Sequence, residues 1–215
     1  IIEKHPEYGM DDRRILDTYE NGEVTLCGRR YPVNDTELPT VDPEKPVQLT
    51  PEEEAILLGL TQCFIKSTAL QRHVRFLFSK GSVYLKYNGN LLFHASVPMN
   101  RDGTFKKIKL DGKRLYGEAL LMEIDRLTRE SYYRNGDFMW YLWCAPDSPL
   151  FGKDKMATFE RYFLDDPETH AEVYAPYFTL VDDKEIAERV LIEFGLSPQS
   201  SHIINGHVPV RYKAG

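Results

Sequence analysis

Val83-Tyr84-Leu85-Lys86-Tyr87-Asn88-Gly89-Asn90-Leu91-Leu92-Phe93-His94 is the stretch from which the fold is read. Asn-Gly between two β-prone apolar runs is the strongest short signal for a type I′ turn, whose two central residues both need positive φ. The stretch therefore reads as a hairpin whose second strand stops on His94. Ala95-Ser96-Val97-Pro98 follows it. A second apolar run, Ile203-Ile204-Asn205-Gly206-His207-Val208-Pro209, also ends on a histidine with a proline close behind. A strand ending on histidine places an imidazole at the sheet edge, where loops gather and ligands bind. Two such ends can be neighbours in one sheet, and paired imidazoles there are the start of a metal site. Taken singly, each histidine serves as readily as a structural residue.

Working outward, Thr50-Pro51-Glu52-Glu53 starts a helix: Thr50 caps, Pro51 takes the first helical position and Glu53 completes a capping box. Ile56, Leu57, Leu60, Phe64 and Ile65 follow at helical spacing. A second helical stretch carries Leu70, Val74 and Leu77 and ends at Lys80-Gly81-Ser82. A turn at Asn100-Arg101-Asp102-Gly103 leads to a helix expected from about Lys113 to Arg134, with Leu115, Ala119, Leu120, Ile124 and Leu127 on one face. Phe138 to Trp143 is almost wholly aromatic or apolar and is expected to be buried, as helix or strand. Asp182 or Asp183 caps a last helix through Phe194, with Gly195 past its end. His202 to Asn205 reads as a buried strand. Residues 1–50 are turn-rich: Val24 to Val33 fits a short hairpin or an extended arm, and Pro39, Pro43 and Pro46 keep the following chain extended over a surface. The mixed order of elements indicates an α/β or α+β class.

The 215 residues suffice for one sizeable core or two small ones. A net charge of −6 gives no broad cationic field, which argues against a nucleic-acid groove but leaves room for a local basic pocket. No apolar run approaches the ~20 residues that span a bilayer, and Ile1 to Pro6 has no signal-peptide core. Neither nucleic acid nor membrane is expected as a partner. Cys27, Cys63 and Cys144 form no CxxC pair and suit reduced thiols in the cytoplasm. The chain has no initiator methionine and stops at Arg211-Tyr212-Lys213-Ala214-Gly215, directly after a motif-bearing strand, so it reads as a piece of a longer polypeptide.

Several blocks carry a family resemblance. Leu91 to Pro98 looks like the strand–His segment of calcineurin-like phosphoesterases, and Asn205 to Pro209 is similar to their Gly-His-x-Pro segment. Leu70 to Ser82, Tyr87 to His94, Phe151 to Phe163 and His202 to Val210 closely resemble the class III, Firmicutes-type fructose-1,6-bisphosphatases. The resemblance implies the C-terminal half of a metallophosphoesterase β-sandwich flanked by helices, with a family-specific helical insertion. Residues 1–50 would then be an extended arm or insertion, and 51–215 a partial metallophosphoesterase domain.

The implied chemistry is hydrolysis of fructose 1,6-bisphosphate to fructose 6-phosphate at two Mn²⁺ ions, which activate a water and offset phosphoryl charge. His94 and His207 would be metal ligands. The family's Asp-x-His and Gly-Asp-x-x-Asp-Arg-Gly motifs and its Asn-His pair are absent; Gly136-Asp137 begins like the second and departs from it. They are expected upstream of Ile1, which leaves this chain at most two ligands and negligible activity of its own.

Among the basic residues, the resemblance makes Lys155 the catalytic cation, because similar phosphatase segments carry an arginine near that position. Lys153 and Arg161 would contact phosphate, or else form a solvated charged turn. Arg72, His73 and Arg75 sit at near-helical spacing and would clamp the sugar's second phosphate or contact the metal-bound one, Arg favouring bidentate geometry; the bland alternative is a helix face paired with acidic neighbours. The expected partner is a phosphorylated sugar, and a homo-oligomer is compatible with the sequence. Two other functions stay open: another metallophosphoesterase acting on phosphoproteins or nucleotides, or a non-catalytic structural or interaction segment.

Overall fold

In a computed structural model, residues 1–134 and 136–208 are described. Among them, helices and short strands are mixed, as expected of an α/β class. Short 3₁₀ turns open the chain and lead into a hairpin, β1 (Glu23–Leu26) and β2 (Arg29–Pro32). Two helices follow, α1 (Pro51–Lys66) and α2 (Thr68–Lys80). The hairpin β3 (Tyr84–Tyr87) and β4 (Asn90–Phe93) comes next, then a third hairpin, β5 (Ile108–Leu110) and β6 (Lys113–Leu115). The remaining helices are α3 (Gly117–Arg134), α4 (Phe138–Cys144), α5 (Thr158–Phe163), α6 (Tyr177–Leu180) and α7 (Lys184–Glu193), before the final strand β7 (Ile203–Asn205).

All three hairpins turn on two residues with positive φ: Cys27-Gly28, Asn88-Gly89 and Asp111-Gly112. That is the type I′ requirement, and it fixes the register of each ladder. The third hairpin corrects the expected start of the long helix. Lys113, Arg114 and Leu115 pair with β5, and the helix begins at Gly117, because Asp-Gly at 111–112 is itself a hairpin signal.

The central sheet has the order β3-β4-β7. β4 pairs antiparallel with β3 and parallel with β7, in the register Leu91↔Ile203, Leu92↔Ile204, Phe93↔Asn205. Strand periodicity sends Leu91 and Phe93 into the main core, where they join Leu120, Leu121 and Ile124 of α3 and Val190 and Leu191 of α7. Tyr8 and Met10 reach the same core from the N-terminal turns, while Ile15, Val24, Leu26, Val33 and Leu164 form a smaller second cluster.

Two burial expectations change, and one apolar helix lies open. β7 is an edge strand with Ile204 half exposed, not a buried one, and His202 lies before it with its ring 3.2 Å from the Asn90 side-chain oxygen. Phe138 to Trp143 is helical, and it buries Phe138, Tyr141 and Leu142 while Trp143 is 70 % exposed, since one helix face meets the core and the other does not. α1 has the full Thr50–Glu53 capping box yet buries no side chain; Ile56, Leu57, Leu60, Phe64 and Ile65 are all exposed. No helix is long and apolar enough to cross a membrane among the described residues.

Candidate active site

The parallel pairing of β4 with β7 brings the two strand-end histidines together. Past the last paired residues, the Gly206 amide donates to the His94 carbonyl at 2.9 Å and the Asn205 side-chain amide donates to the Ala95 carbonyl at 3.1 Å. These bonds lock the two exits side by side. His207 itself has φ +69°, uncommon for a residue with a Cβ, and this turns its ring back toward His94. His94 Nε2 and His207 Nδ1 are 3.0 Å apart, in rings that meet edge to face.

The surroundings of His207 favour its neutral form. Burial, the neighbouring His94 and the Lys153 charge hold the His207 ring below its ordinary value, against a smaller opposing pull from the Phe151 backbone. A neutral imidazole has the lone pair that a metal requires. Two donors held at right angles by bonds of about 2.1 Å stand about 3 Å apart, so the observed spacing fits adjacent ligands of one ion. Among the described residues no third His, Cys, Asp or Glu completes a group of three around them. Among the described residues, two imidazoles are thus all that the chain brings together at this point.

The loop Phe151-Gly152-Lys153 packs against this pair. Gly152 has φ +64°, and a Cβ there would stand 2.9 Å from Phe178 Cε2 and 3.6 Å from Ala95 Cβ, so glycine lets the loop close. Phe178 of α6 lies nearly parallel to the His207 ring, with centroids 6.3 Å apart. Lys153 Nζ is held by Glu172 at 2.8 Å and sits 5.4 Å from the centre of the Tyr174 ring. Arg161 reaches the other Glu172 oxygen at 3.4 Å. Burial pushes the Glu172 carboxyl up, but bonds from Lys153 and the Ala157 amide outweigh it and keep the group ionised.

Lys155 faces a different partner. Its ammonium donates to the Thr169 carbonyl at 2.8 Å and lies 3.3 Å from Glu160, a fully buried carboxylate that Arg13 also grips through two 2.8 Å bonds. Arg72, His73 and Arg75 are exposed on α2, not gathered around the imidazoles. Lys80 and Gly81, at and just past the end of α2, line an open groove of about 510 Å³ together with His94, Asn205 and Gly206. The matched segment's Pro209 and Val210 lie outside the described residues. Sequence reasoning missed Glu172, Tyr174, Phe178, Glu160 and Arg13. No spacing rule joins them to residues 151–155, and only Gly152, a glycine among lysines, hinted at a close approach.

A family profile described as Firmicute fructose-1,6-bisphosphatase matches residues 1–215. The chain is 50 % identical over 226 residues to the class 3 fructose-1,6-bisphosphatase of Clostridium novyi and 48 % identical over 228 residues to that of Alkaliphilus metalliredigens. The enzyme of the same name from Clostridium tetani is 46 % identical over 225 residues. Each comparison covers all of this chain and 34 % of the relative, so the chain spans about a third of the length of the curated relatives it matches. No solved structure matches it. With the profile matched from end to end, this chain belongs to the Firmicute, class 3 fructose-1,6-bisphosphatase family.

Proposed function

We propose that this chain supplies one side of a divalent-metal phosphatase centre, and that the protein hydrolyses fructose 1,6-bisphosphate to fructose 6-phosphate and phosphate. The observation that carries the reading is the 3.0 Å approach of His94 Nε2 to His207 Nδ1 at paired strand ends, in a chain of this family. A pair of manganese ions would supply Lewis-acid polarisation of the phosphate ester and activation of water. His94 and His207 would present their ring nitrogens to these ions. Lys153, fixed by Glu172 and Tyr174, holds a positive charge beside them, where it offsets charge developing on the transferred phosphoryl group. Lys155 and Arg161 hold the acidic residues behind that lysine, so Lys155 acts from one step further back. Arg72, His73 and Arg75 are exposed on α2, the helix whose last residue Lys80 lines the same groove, and would serve the phosphate that is hydrolysed. In this reading the fold is the C-terminal part of a metallophosphoesterase sandwich, with 1–50 as its arm. The three free cysteines agree with a cytosolic enzyme.

The test is metal content by elemental analysis beside phosphate release from fructose 1,6-bisphosphate. His94→Ala and His207→Ala in the full-length protein should each lose metal affinity, with turnover partly rescued by added Mn²⁺. Wild-type metal content in both variants would overturn the reading.

A further inference from the structure

A second cavity, of about 220 Å³, adjoins the histidine pair and has no part in the chemistry above. Lys106 and three longer stretches line it, and those three run close in sequence to His94 or to the residues packed around the pair. Ser96 to Arg101 follow His94; Pro146 to Ser148 precede the Phe151–Lys153 loop; Ala175 and Pro176 precede Phe178. Ser96 lies two residues past His94, hence at most about 7 Å along the chain. Pro98, Pro146 and Pro176 stiffen the walls, and cross-bonds tie them: Ser96 N donates to the Pro149 carbonyl at 3.0 Å and Lys106 N to the Pro98 carbonyl at 3.0 Å. The cavity is therefore preformed.

Its charge is unbalanced. Lys106 meets Asp147 at 2.5 Å, which cancels one cation against the carboxylate. Arg101 remains: exposed, lining the cavity, and outside every hydrogen bond and ion pair among the described residues. The Ser96 hydroxyl is buried on the same wall, with only a 3.5 Å contact to the Pro149 carbonyl, at the long limit for a hydrogen bond. A guanidinium free among the described residues and an underused hydroxyl form a donor set for a phosphate monoester, which Arg grips bidentately, while Lys106 stays paired with Asp147 beside them.

We propose that this cavity binds the phosphate group of the substrate that is not hydrolysed, with Arg101 as its principal contact. The proposal rests on the fructose-bisphosphatase reading for the identity of the ligand, but the cavity and its charge stand apart from the histidines. It makes Arg101 a specificity residue: a sugar with one phosphate at the histidines and none here would lose this anchor.

Fructose 6-phosphate, which carries only that phosphate, is the probe, titrated by calorimetry into the full-length protein and its Arg101→Ala and His94→Ala variants. Among the described residues Arg101 has no partner to lose, so its variant should fold with an unchanged Tm. Arg101→Ala should weaken fructose 6-phosphate binding about ten- to hundredfold, with Arg101→Lys recovering part of it, as expected for loss of a charged hydrogen-bonding partner. His94→Ala should leave the affinity within about twofold, even if metal binding and turnover prove to be absent altogether. Wild-type affinity in Arg101→Ala would overturn the proposal, as would a wild-type protein that shows no saturable binding.

Discussion

Lys153 and Lys155 stand two positions apart in the sequence and differ in what their ammonium groups face. Lys155 is sunk against the buried Glu160 and the Thr169 carbonyl, so its charge stabilises the fold. Removing it leaves Glu160 to Arg13 alone and a buried carbonyl without a donor, at a cost of about 1–3 kcal/mol. Lys153 is bound to Glu172 at the rim and lends its charge to the histidine pair. Both Lys155→Ala and Lys153→Ala should lower Tm, the first by more, because it also strands the buried Thr169 carbonyl. In the metal-loaded full-length enzyme, Lys153→Ala should cut kcat/KM about 10²–10³-fold, as for removal of one charge-stabilising donor. Thermal melts and steady-state kinetics on both variants decide it. Equal Tm losses, or wild-type kinetics for Lys153→Ala, would reverse the assignment.

Between elements, the β5–β6 hairpin is fastened to α3 by charge as well as by apolar contact. Glu123 on α3 accepts from Lys113 of β6 at 2.9 Å and from Arg126, one turn along, which also reaches Asp111 in the hairpin turn. The Arg126 bond, helped by Lys113, lowers the Glu123 carboxyl to about 2 from 4.5. A carboxyl whose folded value lies below its unfolded value stabilises the fold above the unfolded value. That contribution disappears as pH falls through the folded one. Between about pH 4.5 and pH 2 the unfolded state binds the extra proton, so stability falls with acidification in that window. Glu123→Gln should start from a lower Tm at neutral pH and lose less across it. Parallel Tm–pH curves for the two proteins would show that the network contributes nothing. The same hairpin illustrates how a local signal is overlooked: the apolar periodicity of α3 extends back through Leu115 by chance, and only the Asp111-Gly112 turn shows that the helix starts later.

For the whole molecule, the decisive contact is β4 with β7, which joins His94 to His207 across 113 positions of chain. Only two donors meet there among the described residues, both of them imidazoles. Manganese favours oxygen ligands, and nothing in the pair supplies them. The 215-residue chain by itself should thus bind Mn²⁺ weakly and release no phosphate from fructose 1,6-bisphosphate. Equilibrium dialysis followed by elemental analysis checks this directly. Stoichiometric Mn²⁺ retained after dialysis would mean that this chain holds a more complete site than two histidines.

The sequence by itself determined the features that depend on near neighbours. The Thr50–Glu53 capping box, the Asn88-Gly89 turn, the Asp183 cap and the Gly195 terminus of α7 are each made by groups within a few residues, and each formed where the pattern placed it. The two histidines were legible for the same reason, as residues at the ends of apolar runs. Burial was not. α1 has helical spacing of apolar residues yet no buried side chain, and β7 reads as a core strand yet lies at an edge, because periodicity marks a face without naming what covers it. Nor were the partners of the lysines, since Glu172, Tyr174 and Glu160 reach Lys153 and Lys155 through packing that no spacing rule encodes. Tertiary structure alone decided which acidic partner each lysine meets, and that the imidazoles meet at all. A parallel strand pair has no turn to fix its register; the inward side chains Leu91, Phe93 and Ile203 must find the core first.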